Sequence, residues 1–134
     1  MVETFTDIKA MRQVNARFGL KNTPVIRVGD LYFCSGLTAL DLETGEAIEG
    51  GTVQNHARVT LGNLSIILGE VGLDLDHVVK LNAYLADPVN DFAAWNEVYL
   101  ETFQAPYPAR TTVGAGMHVG ILEIDVIAAH QPRR

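Results

Sequence analysis

Between Thr52 and Phe103 the apolar residues change their period twice, and that double change confines the chain to a fold in which helices pack on a sheet. From Thr52 onward Ala57, Leu61, Leu64, Leu68 and Val71 recur every three or four residues, the spacing of one buried helical face, and Gly72 supplies a stop. Val78 to Leu85 then alternates, with Val79, Leu81, Ala83 and Leu85 on one side and Lys80, Asn82 and Tyr84 on the other, which predicts a strand. Asp87-Pro88 ends that strand. Asn90 or Asp91 can cap a second helix, whose Phe92, Trp95, Tyr99 and Phe103 form one apolar line assigned to the core. Asn96 and Glu97 fall on other sides of that helix, free to face a partner or a site.

Strands flank this centre. Val25 to Val28 and Leu31 to Leu37 read as a hairpin about the turn pair Gly29-Asp30. Asp41 to Gly51 is acidic and glycine-bearing, hence a loop. Arg110 to Val113 and Leu122 to Ala129 are two further strands, joined by a connection holding Gly114, Gly116 and Gly120. The first residues are mixed, with a weakly helical stretch around Asp7 to Ala16 that Gly19 can stop. The order is two strands, helix, strand, helix, two strands. The expected class is α+β: a two-layer sandwich with a mixed β-sheet and both helices on one face. A chain of 134 residues holds one core, so residues 1–134 form a single domain, with 1–22 as a variable N-terminal segment. The uncovered face of the sheet needs a partner, and another copy of the chain is the economical one.

Charge narrows the function. The formal net charge is −6, and between Val28 and Pro132 the basic residues are Arg58, Lys80 and Arg110, against every Asp and Glu of the chain except Glu3 and Asp7. No basic stripe exists to neutralise phosphates, which argues against nucleic acid as a partner. Cys34 is the one cysteine, so no intrachain disulfide forms and a cytoplasmic location is expected. No apolar run of about 18 residues occurs, and the N-terminus lacks the charged-then-apolar order of a signal peptide, so no membrane association is expected.

Few residues offer chemistry. Arg110 is a permanent cation in a strand, and its planar fork suits a small carboxylate; a structural salt bridge to Glu123 or Asp125 is the alternative. Glu123 lies in an otherwise apolar strand, where it is either a proton-transferring carboxylate in a partly dry cleft or simply solvent-facing. Cys34 has apolar neighbours and reads as a buried, inert thiol. Ser35 is weak as a nucleophile but able to donate a hydrogen bond to a ligand. The 4 histidines lack the spacing of a metal site, so no metal is expected, and the glycines after Arg110 lack the strand-to-helix setting of a phosphate loop, so no nucleotide cofactor is expected. His118, among those glycines, faces either a cleft or solvent.

In order, these residues resemble the reactive intermediate deaminase (Rid, YjgF-like) family, also labelled L-PSP endoribonucleases. The resemblance runs from about Val25 to Ala129. It rests on Ser35-Gly36, the helix ending Glu70-Val71-Gly72, Val78-Val79-Lys80, the run Asp91 to Tyr99, Pro108-Ala109-Arg110, and Glu123-Ile124 followed by Val126-Ile127-Ala128. It implies a chorismate-mutase-like fold assembled as a homotrimer, with clefts between adjacent subunits and no cofactor. By the same resemblance Arg110 holds a substrate carboxylate and Glu123 activates the water that attacks a C=N carbon. Ser35, Gly36, Asn96 and Thr112 line the cleft. The sequence departs from the family pattern at Asn22, where many members carry tyrosine, at Thr112, often cysteine, and in a shorter connection from Arg110 to Glu123. The implied activity is hydrolysis of a small 2-imino acid, such as a 2-aminoacrylate-like compound, to a 2-oxo acid and ammonia. The alternatives are a 2-aminomuconate-type deaminase, suggested by the run Pro108 to Val113, and a non-catalytic module that binds small carboxylates.

Overall fold

The computed structural model describes residues 1–134 and runs β1 (Val2–Phe5), α1 (Arg12–Phe18), β2 (Val25–Val28), β3 (Leu31–Leu37), α2 (Val53–Glu70), β4 (Val78–Leu85), α3 (Pro88–Thr102), β5 (Ala109–Gly114) and β6 (Leu122–Ala129). Thr52 starts α2 by accepting the Asn55 N–H at 3.1 Å on its side-chain oxygen. Ala57, Leu61, Leu64 and Leu68 are all buried, as their spacing predicts. Gly72 takes a φ of +81°, and the Leu73 N–H reaches back to the Leu68 carbonyl at 2.9 Å, closing the last turn.

The six strands form one mixed sheet in the order β1-β2-β3-β6-β4-β5. Every pairing is antiparallel except β4 with β5, which are parallel and joined through α3 as a βαβ crossover. Helices α2 and α3 pack on one face over a single core of 27 buried residues, in which Trp95, Phe103, Leu81 and Leu122 are among the largest fully enclosed side chains. The α+β sandwich is therefore the architecture expected. The opposite face carries Glu123, Asp125 and Ile127 of β6 and Lys80, Asn82 and Tyr84 of β4. Here Asn82 Nδ2 donates to Asp125 Oδ1 and Lys80 Nζ to Thr111 Oγ1, both at 2.9 Å. Leu31 and Phe33 of this face lie across from Ala129 and Ile127 and remain exposed. No helix is long and apolar enough to cross a membrane.

The N-terminal segment packs onto the rest of the fold: Val2 to Phe5 pair with β2, Phe5 stacks on Tyr32 at 6.4 Å, and Met11 and Val14 enter the core. Glu70 docks this segment by accepting the Lys9 and Ala10 N–H groups at 2.7 and 2.9 Å. A helix with its stop at Gly19 was legible, whereas β1 was not, because most of that short edge strand faces solvent and shows no alternation.

In β4 a bulge shifts the register between Val78 and Lys80, so Val78 is buried and Val79 only half-buried, reversing the alternation read at that end. Asp87, rather than Asn90 or Asp91, caps α3, accepting from the Asn90 N–H at 3.4 Å with Pro88 in the first turn. The C-terminus is anchored through Arg133. Arg133 donates to the carbonyls of Leu75, Val78 and Pro106 at 2.8, 2.6 and 2.8 Å and keeps only 6% of its side chain exposed.

Candidate active site

Arg110 projects from the edge strand β5 toward α3. One guanidinium nitrogen donates to Asn96 Oδ1 at 2.8 Å, and the group lies over the Tyr99 ring at 4.3 Å from its centroid and the Phe92 ring at 5.7 Å. The ion pairs of the chain all involve other cations, so the salt bridge to Glu123 or Asp125 does not form. The reason is topological: β5 has β4 as its neighbour, and β6 lies beyond it. Three groups thus orient a cation without neutralising it, which leaves its remaining donors for an outside carboxylate. Burial raises the Tyr99 pKa, partly opposed by the nearby cations Arg110 and Arg133, so the ring supports the guanidinium as a neutral phenol.

Phe92 was assigned to the core and is instead 42% exposed beside Arg110. Asn96 had been set apart from the aromatic line, yet Phe92, Asn96 and Tyr99 follow the i, i+4, i+7 spacing of a single face. Trp95 belongs to the core face and donates its indole N–H to Thr112 Oγ1 at 3.3 Å. Thr112 thereby has its hydroxyl oxygen engaged, while β5, as an edge, leaves one row of backbone N–H and C=O groups open.

Glu123 forms a second centre. It stands on the face away from the helices, across from Tyr84 in β4 and against the backbone of Gly36 in β3: a Cβ on Gly36 would lie 2.9 Å from Glu123 Oε2. The β3–β6 pairing shifts register between Cys34 and Leu37, and this bulge brings Gly36 to the carboxylate. Ser35 spends its hydroxyl proton on the Thr23 carbonyl at 2.6 Å, which leaves the oxygen only as an acceptor. Glu123 also lines an open pocket of about 250 Å³ with Asn22, Thr38 and His118, the last two unassigned or unresolved by sequence reasoning. His118 further borders a larger opening of about 820 Å³ beneath the loop Glu46 to Gly51, where Glu123 is not present. Cys34 is buried, and burial pushes its thiol up to about 12, as an inert core residue requires. No group of three or more His, Cys, Asp and Glu side chains is placed to hold a metal ion.

The two centres do not meet within one chain. Arg110 pairs with Leu81 and Glu123 with Tyr84 on opposite edges of β4, two strand spacings of about 5 Å apart and offset along the strand by about 10 Å. They also emerge on opposite faces, Arg110 beneath α3 and Glu123 on the uncovered side.

The sequence from residue 6 to residue 130 matches the family model described as Endoribonuclease L-PSP. The chain belongs to this family. Among relatives of the L-PSP family, the mitochondrial protein mmf2 of Schizosaccharomyces pombe is 43% identical over 109 residues, 78% of this chain and 83% of that protein. The 2-iminobutanoate/2-iminopropanoate deaminase of Capra hircus is 39% identical over 80% of this chain and 78% of its own length. The crystal structure of RidA from an Antarctic Psychrobacter superposes with a TM-score of 0.74 at 34% identity, covering 82% of this chain and 89% of that one. The Rid resemblance read from the motifs is thus confirmed. The L-PSP family match begins at residue 6, inside the segment that the sequence had set apart as variable.

Proposed function

We propose that the protein is an imine and enamine deaminase, hydrolysing a 2-imino acid to a 2-oxo acid and ammonia in a site built from two copies of the chain. The observation that carries this reading is the Arg110 guanidinium, oriented by Asn96 and Tyr99 and left without an internal carboxylate. Such a group selects an outside carboxylate. The Capra hircus relative, named for deaminating two such acids, supports the same substrate class. The charge distribution also favours a small acid over RNA.

The opposed faces of Arg110 and Glu123 fit a homotrimer in which one copy offers Arg110, Asn96 and Thr112 and the next offers Gly36, Ser35 and Glu123. Exposed Val28, Leu31, Phe33 and Val113 on the uncovered sheet supply apolar surface for the contact. Arg110 fixes the substrate carboxylate. Glu123 accepts a proton from a water as the water oxygen bonds to the C=N carbon and passes it to the nitrogen, giving a carbinolamine; it then takes the hydroxyl proton and passes it to the nitrogen as the C–N bond breaks and the C=O forms. The products are the 2-oxo acid and ammonia, and no electrons are exchanged. Imines already react with water, so holding one water and one carboxylate in register is the main contribution asked of the protein. The protein added to an amino-acid oxidase that releases imines in situ speeds 2-oxo acid formation on this account; an Arg110→Ala variant with the full rate removes the assignment.

A further inference from the structure

The connection from β5 to β6 arches over the end of β4 and is tied down at both feet. The Ala115 N–H donates to the Leu85 carbonyl and the Ala86 N–H to the Ile121 carbonyl, both at 3.0 Å. His118 stands midway between those feet, two residues before Gly120, whose φ of +75° turns the chain into β6. The arch holds its exposed ring on the rim shared by two openings. One is the pocket of about 250 Å³ that Glu123 lines, and the other is the opening of about 820 Å³ beneath the loop Glu46 to Gly51.

In the smaller pocket His118 and Glu123 are the only titratable side chains. The larger opening adds Arg17 of α1, Glu46 and Glu49 of the loop, and His56 of α2, while β4 and α3 contribute nothing to either lining. Arg17 reaches the Thr44 carbonyl at 3.3 Å and pairs with Glu46 at 3.4 Å. Beside them Gly45 lies so close beneath α1 that a Cβ there would stand 2.4 Å from the Gln13 carbonyl oxygen. His56 is buried, with Nε2 engaged by the Gly50 carbonyl at 2.7 Å. The imidazole hydrogen bonds of the chain belong to His56 and His77, which leaves both ring nitrogens of His118 to exchange protons with pocket water.

A carbinolamine nitrogen leaves only when protonated, at the moment the neighbouring hydroxyl gives up its own proton. One carboxylate can serve the two atoms only in turn. An imidazole beside it divides the task. We infer that His118 is the general acid of the second step: its imidazolium gives a proton to the carbinolamine nitrogen as the C–N bond breaks, while Glu123 takes the hydroxyl proton and the C=O forms. Ammonia leaves. The proton on Glu123 then crosses pocket water to the imidazole, so both groups return to their starting forms and no electrons are exchanged. The inference rests on the deaminase reading of the same site.

Imine released in a burst by excess amino-acid oxidase, with 2-oxo acid appearance as the readout, tests the role. His118 is exposed, so its substitution spares the core. His118→Ala lowers kcat by about a hundredfold, and His118→Gln by as much, because glutamine fills the space but has no proton to give. KM changes little, since Arg110 is untouched. Imidazole added to His118→Ala restores rate beyond its effect on imine without protein. The ratio of wild-type to His118→Ala rates falls as the pH rises from about 6 to 8, because the wild type loses its imidazolium. A full rate in His118→Gln, no rescue by imidazole, or a ratio independent of pH overturns the inference. With the wild type active, those results leave the deaminase reading standing, whereas a wild type that accelerates no imine ends both.

Discussion

Gly36 and Glu123 are in contact across the β3–β6 bulge, where a Cβ on Gly36 would come within 2.9 Å of the Glu123 Oε2 oxygen and 3.1 Å of its carboxyl carbon. The absence of a side chain at Gly36 thus sets where the carboxylate sits. Its φ is not in the left-handed region, so the requirement is one of space alone.

Gly36→Ala therefore leaves the fold standing and displaces the carboxylate. A misplacement of about 1 Å in such a group lowers kcat by about a hundredfold. KM changes little, because Arg110 is untouched. Circular dichroism unchanged beside a reduced kcat is the expected pair of results; an unaltered kcat contradicts the placement of Glu123.

Asn96 is a positioning residue for Arg110, acting through the 2.8 Å hydrogen bond to the guanidinium. Asn96→Ala removes a bond to a charged group, worth about 1.5–3 kcal/mol, and raises KM by about tenfold or more. Asn96→Asp keeps the shape but pairs the cation internally, so it raises KM further than alanine does. The order asparagine, alanine, aspartate in increasing KM distinguishes an electrostatic role from a packing role.

Cys34 predicts a pH effect on stability. Its folded pKa is raised from 9.0 to about 12 by burial, so between these values the native state keeps a proton that the unfolded chain releases. Stability is then full below pH 9 and falls as the pH rises toward 12, by up to about 1.4 kcal/mol per unit. Urea unfolding at pH 9 and pH 10 shows this extra loss in the wild type and lacks it in Cys34→Ala.

Gly45 combines a φ of +78° with the close approach to Gln13. Gly45→Ala costs about 2 kcal/mol or more through strain and overpacking. Because the clash is with the backbone of α1, hydrogen exchange in residues 9–18 rises more than in α2 or α3.

How much of this the sequence disclosed depends on the range of the interactions involved. The period of Ala57, Leu61, Leu64 and Leu68 is a local signal, and the helix followed it. Arg110 and Glu123 stood out because each interrupts a strand, and both occupy chemically distinctive positions. What alternation could not show was strand order. Arg110 and Asp125 look adjacent when β5 and β6 follow one another in the chain, yet β4 lies between them. Val79 was misplaced because a bulge leaves no compositional mark. The Phe92, Asn96 and Tyr99 face was legible from spacing alone and was obscured by treating every aromatic residue as core.

The central claim is that Arg110 and Glu123 act together only across two copies of the chain. Co-expression of Arg110→Ala with Glu123→Gln, purified as mixed oligomers through two different tags, tests it most directly. Each variant alone is inactive in imine hydrolysis. Every mixed trimer joins an intact arginine to an intact glutamate at one of its sites, so the two-tag material recovers about a third of the wild-type activity. Mixed oligomers no more active than the two parents contradict a shared site.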